Sequence, residues 1–293
     1  MSNIEIISGL SQIAGNYDAL VSDVWGVVHN GVAAFPGAAD ALANFRKTRG
    51  PVVLLTNAPR PWPVVAKQLM HFGVPGDAYD AIVTSGDLTR AEITARAAAH
   101  GGPLPSLYIG PDRDLGIFDH EHVHRTDLEK AAVIICTGPY KDDVETPEEY
   151  RGLLRQAAER KLPFICANPD LIVQRGDRII YCAGSLAQLY EQLGGEVWYA
   201  GKPHLPVYSQ VDRAVAQAAG RTIPRTQMLM AGDGLKTDVL GANRAGLPVL
   251  LITGGIHATE FGDSVDEPAA DRIHDTLGRA QLKAVAASVR LRW

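Results

Sequence analysis

The chain has 293 residues, 46% hydrophobic and 21% charged, with a formal net charge of -5. That length suits two domains, and the composition belongs to a globular protein rather than a disordered or membrane-embedded one. The acidic balance, without a run of basic residues, argues against nucleic acid as a partner, and no apolar run reaches the length of a membrane span.

The N-terminus, Met1-Ser2-Asn3-Ile4-Glu5, lacks a basic region followed by an apolar stretch, so no signal peptide is expected. Cys136, Cys166 and Cys182 form an odd, sparse set without metal-type spacing. They fit buried small hydrophobes in a reducing cytoplasm better than a disulfide framework.

In chain order, Ala19 to Val24 is a short apolar run interrupted by Ser22 and followed by Gly26. It reads as a buried strand of a parallel sheet, where both faces are covered. His29-Asn30-Gly31 marks a turn, and Phe35-Pro36-Gly37 opens a helix that Gly50-Pro51 stops. Val52 to Asn57 is a second strand of buried type, and a helix through Met70 follows the prolines at 59, 61 and 63. Ala81 to Thr84 is a third strand, with Ser85-Gly86-Asp87 expected as a hinge and helix cap.

The middle of the chain alternates strand-like segments (106–110, 132–136, 164–167) with helical patterns, notably Thr146 to Glu159, which predicts a second small α/β layer. Strands resume at Val197 to Pro203, Met228 to Asp233 and Leu247 to Thr253, with a helix from His204 to Ala219. Asp275 to Val289 reads as one amphipathic helix. The expected fold is α/β: a Rossmann-like doubly wound parallel sheet formed by residues 1–84 and 196–293, with an α/β domain inserted at 85–195.

Asp23, Thr56-Asn57, Lys202 and Asp233 all fall at strand ends, and Asp238 follows within the next helix start. Each has a plain reading alone. An Asp after a strand caps a turn, most lysines are solvated, and acids are favoured at helix starts whatever their function. Together they supply what phosphoryl transfer needs. A carboxylate can attack phosphorus, hard oxygen donors suit Mg²⁺, and a lysine with neutral donors can hold the transferring oxygens. In open α/β sheets, ligands bind outside the carboxyl ends of the strands.

Asp23-x-x-Gly26, Leu55-Thr56-Asn57, Gly201-Lys202-Pro203 and Gly232-Asp233-x-x-x-Thr237-Asp238 resemble, in order, the four motifs of the haloacid dehalogenase superfamily. The insertion between the second and third motifs is similar to the branch with a large α/β cap (subfamily IIA), which includes phosphoglycolate, pyridoxal phosphate, p-nitrophenyl phosphate and sugar phosphate phosphatases. Phe35-Pro36-Gly37-Ala38, Ala167-Asn168-Pro169-Asp170 and Leu251-Ile252-Thr253-Gly254 are further local matches.

The resemblance implies a phosphatase acting through an aspartyl-phosphate on Asp23. Asp23, the main-chain carbonyl of Trp25 and Asp233 are the implied Mg²⁺ ligands, with Asp238 orienting a metal-bound water. Thr56, Asn57 and Lys202 are expected to hold the phosphate of a small phosphorylated metabolite. Asn168 and Asp170 are expected to face its leaving group once the cap closes about hinges near Ser85 and Glu196. Arg60 is a candidate for a substrate anion. Caps of this size pair subunits in similar proteins, which makes a homodimer the expectation.

The chain departs from the pattern at Trp25, where phosphatases of this family carry a second aspartate that protonates the leaving oxygen and later activates water. An indole N–H cannot exchange that proton, and general acid–base catalysis contributes about 10²–10⁴-fold. His29 has a suitable ordinary pKa and is the candidate substitute. The alternatives are a leaving group that needs no proton, or a phosphometabolite-binding or regulatory protein on the same fold with weak or no turnover.

The other local patterns carry less. His120, His122 and His124 alternate and read as a solvated edge strand rather than a metal site. Gly232-x-Gly234 lacks the third glycine of a dinucleotide fingerprint, Pro203 after Lys202 rules out a P-loop, and Trp62 reads as a packed loop anchor.

Overall fold

The computed structural model of the chain describes residues 4–175 and 178–293. Three strands come first: β1 (Ala19–Ser22), β2 (Val52–Thr56) and β3 (Ala81–Thr84). Seven follow in the middle of the chain: β4 (Leu104–Ile109), β5 (Val123–Arg125), β6 (Val133–Cys136), β7 (Phe164–Cys166), β8 (Ile172–Arg175), β9 (Arg178–Tyr181) and β10 (Val197–Tyr199). The last are β11 (Met228–Gly232), β12 (Val249–Ile252) and β13 (Ala286–Ser288).

The chain divides into two compact units, one of residues 1–56, 66–83 and 202–293, the other of 57–65 and 84–201. Unit one is built on a six-stranded sheet in the order β13-β12-β11-β1-β2-β3. β1 lies between β2 and β11 and runs parallel to both, with Val21 opposite Val53 and Met230. All residues of β1, β2, β11 and β12 are buried, because helices cover both faces of a parallel sheet and alternation is lost. The helix Ala38–Thr48 turns Ala41, Leu42 and Phe45 inward, and Pro206–Ala219 turns Val207, Val211 and Val215 inward, the spacing of one apolar stripe.

Unit two holds a parallel five-stranded sheet, β10-β7-β6-β4-β5, and the antiparallel pair β8-β9. One of its cores gathers Ile134, Tyr150, Leu154, Phe164, Leu186 and Tyr190. Val197–Tyr199 pairs with Phe164–Cys166, so the unit seam falls at Gly201/Lys202, after the 195/196 boundary expected from the sequence. The helix Ser85–His100 starts with Thr84 as its cap, whose hydroxyl accepts the Asp87 N–H at 2.9 Å. Thr146 closes a capping box with Glu149 ahead of Arg151–Glu159. β5 is an edge strand with His124 exposed, and His120 and His122 precede it with ring centroids 5.8 Å apart.

The C-terminal expectation needs correction. The helix is Ala270–Ala280, ended by Gln281 in the left-handed region, and Ala286–Ser288 is a strand parallel to β12. A short run of small apolar residues suits either state, and here an open sheet edge decided it. Among the described residues no helix is long and apolar enough to cross a membrane.

Candidate active site

The carboxyl edge of the unit-one sheet brings Asp23, Lys202, Asp233 and Asp238 together. The ladder continues one residue past β1, with the Asp23 N–H donating to Ala231 O at 2.8 Å, so Asp23 leaves the sheet beside β11 just where Asp233 emerges. Gly26 then turns the chain with φ +86°. A Cβ there would sit 2.2 Å from Asp233 Oδ2, so glycine serves both the backbone conformation and the space the carboxylate occupies.

Lys202 is 2% exposed, and its Nζ donates to Asp23 Oδ1 and to Asp238 Oδ1, each at 2.6 Å. The Gly234 N–H donates to Asp238 Oδ2 at 2.9 Å, and the Ile256 N–H donates to Asp233 Oδ2 at 2.8 Å. Carboxylate oxygens of Asp23, Asp233 and Asp238 lie within 4.8 Å of one another, and all three residues are buried. Burial pushes the Asp23 carboxyl well above the usual carboxylate range; Asp238 and Asp233 add to the rise and Lys202 opposes it.

One lysine against three carboxylates leaves that set two negative charges in excess, a costly arrangement in a buried site. A divalent cation held by oxygen donors balances it, and the donor set is the hard-oxygen type that Mg²⁺ takes. The residues present therefore fit the ion the sequence implied.

Trp25 is partly buried, and its ring packs edge-on against His29 with centroids 5.2 Å apart. A Cβ at Gly31 would meet that indole at 2.4 Å, so the ring is wedged against the following turn. His29 is 2% exposed, lies 4.9 Å from the Phe72 ring, and accepts the Gly31 N–H at Nδ1 at 2.9 Å. With Nδ1 accepting, a neutral His29 carries its proton on Nε2.

Thr56 ends β2 and is buried in unit one. The next residue, Asn57, is counted with unit two. Its Nδ2 donates to Asp170 Oδ1 at 2.9 Å, and its Oδ1 accepts from the Ser85 hydroxyl at 3.4 Å. Asn168 is buried and its Oδ1 accepts the Asp170 N–H at 3.1 Å, forming an Asx turn. Arg60 stands with its Nε 3.4 Å from Asp114 Oδ1, and Arg113 and Arg175 both reach Asp142 nearby. Trp62 is 53% exposed, which corrects the reading of it as a packed anchor, and its backbone N–H donates to Asp87 Oδ2 at 3.0 Å.

Sequence reasoning passed over the loop that fixes Asp233. A Cβ at Gly255 would lie 2.0 Å from Asp233 Oδ2, and the neighbouring Ile256 supplies the N–H. The available signal was the Gly254-Gly255 pair directly after an apolar strand.

Comparison with known proteins matches residues 20–113 to a family model described as haloacid dehalogenase-like hydrolase, and residues 199–280 to one described as HAD-hydrolase-like. A solved hydrolase of the haloacid dehalogenase-like family from Brucella suis is 43% identical with a TM-score of 0.85, over 98% of this chain and 100% of that one. D-glycerol 3-phosphate phosphatase of Mycobacterium tuberculosis is 29% identical over 85% of this chain and 66% of its own length. The ribonucleotide monophosphatase NagD of Escherichia coli is 25% identical over 84% of this chain and 91% of its own.

Proposed function

The chain belongs to the haloacid dehalogenase-like hydrolase family, and from that premise we propose that it is a Mg²⁺-dependent phosphatase of small phosphate monoesters. The observation that carries the reading is the buried lysine joining two carboxylates at 2.6 Å, with a third carboxylate within 4.8 Å. The relatives named for glycerol 3-phosphate and for ribonucleotides support a sugar phosphate or a related phosphometabolite as substrate.

In this reading Asp23 attacks phosphorus, the bond from phosphorus to the ester oxygen breaks, and the leaving oxygen takes up a proton. Water then attacks the aspartyl-phosphate and gives up a proton to the group that protonated the leaving oxygen; the bond between phosphorus and the Asp23 oxygen breaks, phosphate leaves, and both the acid and the carboxylate are restored. Lys202 holds Asp23 in its rotamer and offsets its charge. Thr56 and Asn57 hold phosphoryl oxygens. Asp23, the Trp25 carbonyl and Asp233 would hold Mg²⁺ with Asp238 behind them, and the bound ion supplies neutralisation of phosphoryl charge.

His29 is proposed as the proton donor through Nε2, its Nδ1 being engaged by Gly31. Residues 85–195 act as the cap, where Asn168 and Asp170 help choose the leaving group, and Arg60 meets an anionic group of the substrate. A cytoplasmic homodimer is the working context, the buried free thiols fitting a reducing compartment. The wedged indole of Trp25 also favours a second reading, in which phosphate esters are bound with little turnover.

The test is steady-state phosphate release from p-nitrophenyl phosphate, sugar phosphates and nucleoside monophosphates, with Mg²⁺ or with chelator, and with Asp23→Asn as control. Mg²⁺-dependent release lost in Asp23→Asn is expected. Release from no ester above that control would overturn the enzyme reading in favour of the binding one. For alkyl phosphates, His29→Asn is expected to remove the alkaline-side fall of kcat, the limb that a required proton donor produces. A pH profile identical to the parent's would exclude His29 as the acid.

A further inference from the structure

Two of the local matches noted in the sequence, Phe35-Pro36-Gly37-Ala38 and Leu251-Ile252-Thr253-Gly254, supply no group to the chemistry above, yet one side chain connects them. The β12–β13 ladder runs on beyond both strands. The Thr253 N–H donates to Ser288 O at 2.9 Å, and the Gly254 N–H donates to Val289 O at 3.0 Å. At the next position Arg290 turns back, and its Nη1 donates to Gly254 O. The guanidinium carbon lies 4.3 Å from the centroid of the Phe35 ring, in a cation–π arrangement.

Gly254 is also packed against this segment. A Cβ on it would lie 2.5 Å from Val289 O and 2.9 Å from Arg290 Cζ. The two residues that follow, Gly255 and Ile256, are the ones that wall in Asp233 and donate to its Oδ2. Phe35 belongs to the loop that leaves Asp23, since its N–H donates to Val28 O at 2.8 Å and the Val28 N–H donates to Val24 O at 2.8 Å. The Arg290 side chain therefore touches both the loop that follows Asp23 and the loop that aims Asp233.

We infer that Arg290 is a positioning residue for the metal carboxylates. It fixes the 253–256 loop so that the Ile256 N–H holds Asp233 toward Asp23, and it registers that loop against the turn after Asp23. The inference rests on the Mg²⁺ reading above. It assigns a role to the segment directly after the stretch, Asp275 to Val289, that the sequence expectation had placed in a helix. Groups that orient a metal ligand change affinity by about 10–100-fold when removed.

The experiment is calorimetric titration of the full-length protein with Mg²⁺ alone at 25 °C, on the parent, Arg290→Ala, Arg290→Lys and Phe35→Leu. Arg290→Ala is expected to weaken Mg²⁺ by about 10-fold. Its KM for p-nitrophenyl phosphate at saturating Mg²⁺ should stay within about twofold of the parent's, as expected when only the metal site has loosened. Arg290→Lys keeps the charge without the planar fork and recovers part of the affinity. Phe35→Leu removes the ring beneath the guanidinium and should weaken Mg²⁺ by about threefold.

Leu154→Ala, in the core of unit two, controls for a stability loss that leaves Mg²⁺ affinity unmoved. If Arg290→Ala does not fold, Arg290→Lys and Phe35→Leu decide the matter. Mg²⁺ affinity unchanged in every folded variant overturns the inference. A parent protein that takes up no Mg²⁺ overturns the metal reading itself, which is a different failure.

Discussion

The molecule carries two sheets of parallel strands, in different strand orders and with different chemistry at their carboxyl edges. In unit one Asp23 follows β1, Thr56 ends β2 and Asp233 follows β11, with Lys202 drawn in among the carboxylates. In unit two, β6 and β7 end in Cys136 and Cys166, followed by Thr137 and Ala167, and Cys182 follows β9. Those thiols are buried, and Cys136 and Cys166 donate to backbone carbonyls. Parallel strand pairing is common to both sheets, so architecture alone makes neither edge reactive. The residues placed one step beyond each strand decide that. In unit one they concentrate like charge that burial cannot tolerate without a counterion.

Replacing the nucleophile tests that contrast with the largest expected effect. Asp23→Asn should lower phosphate release by about 10⁴-fold or more, measured with p-nitrophenyl phosphate. It should also stabilise the metal-free protein. The Asp23 carboxyl is raised in the folded state, chiefly by burial. Its contribution is therefore most favourable below the unfolded-state value and is lost as pH rises through the folded one. Thermal unfolding in chelator should show the parent losing stability from about pH 4 upward relative to Asp23→Asn, with the gap narrowing when Mg²⁺ is added. A parent no less stable than Asp23→Asn at neutral pH would mean the carboxylate is not in conflict with its surroundings.

Lys202→Met comes next. It removes the cation in contact with two buried carboxylates, and breaking such a set from one side costs about 3–5 kcal/mol, read from denaturant midpoints in the absence of metal. The matching truncation in unit two, Arg113→Ala, removes a partner of Asp142 that is itself 42% exposed, and should cost under about 1 kcal/mol. Equal costs would erase the distinction between the two edges.

Much of this was legible in the amino-acid sequence because strand ends followed by glycine are local features. Asp23 before Gly26, and Gly232-Asp233, announce a chain that leaves a sheet and turns. Buried strands such as Val52–Thr56 carry their own apolar signature. What could not be read depends on partners distant in sequence. Ala286–Ser288 is a strand only because β12 offers an open edge. Val197–Tyr199 joins unit two because its ladder partner is Phe164–Cys166. Asn57 bonds to Asp170 across a long loop of chain, a pairing that no local pattern encodes. Arg290 was hidden for the same reason, its partners Gly254 and Phe35 being distant in the chain.

The smallest expected effect belongs to the thiols of unit two. A thiol reacts as its thiolate, and burial pushes Cys136 up to about 12 and both Cys166 and Cys182 well above the ordinary value. At pH 8 a group titrating near 12 is ionised in about one molecule in 10⁴, and it is shielded from reagent as well. The native protein should therefore release no chromophore from a disulfide reagent at pH 8 until denaturant is added, when all three cysteines react, and treatment with iodoacetamide should leave phosphate release unchanged. Rapid labelling of native protein with loss of turnover would show that the second sheet's edge also carries a reactive group, and the contrast between the two sheets would then be one of degree.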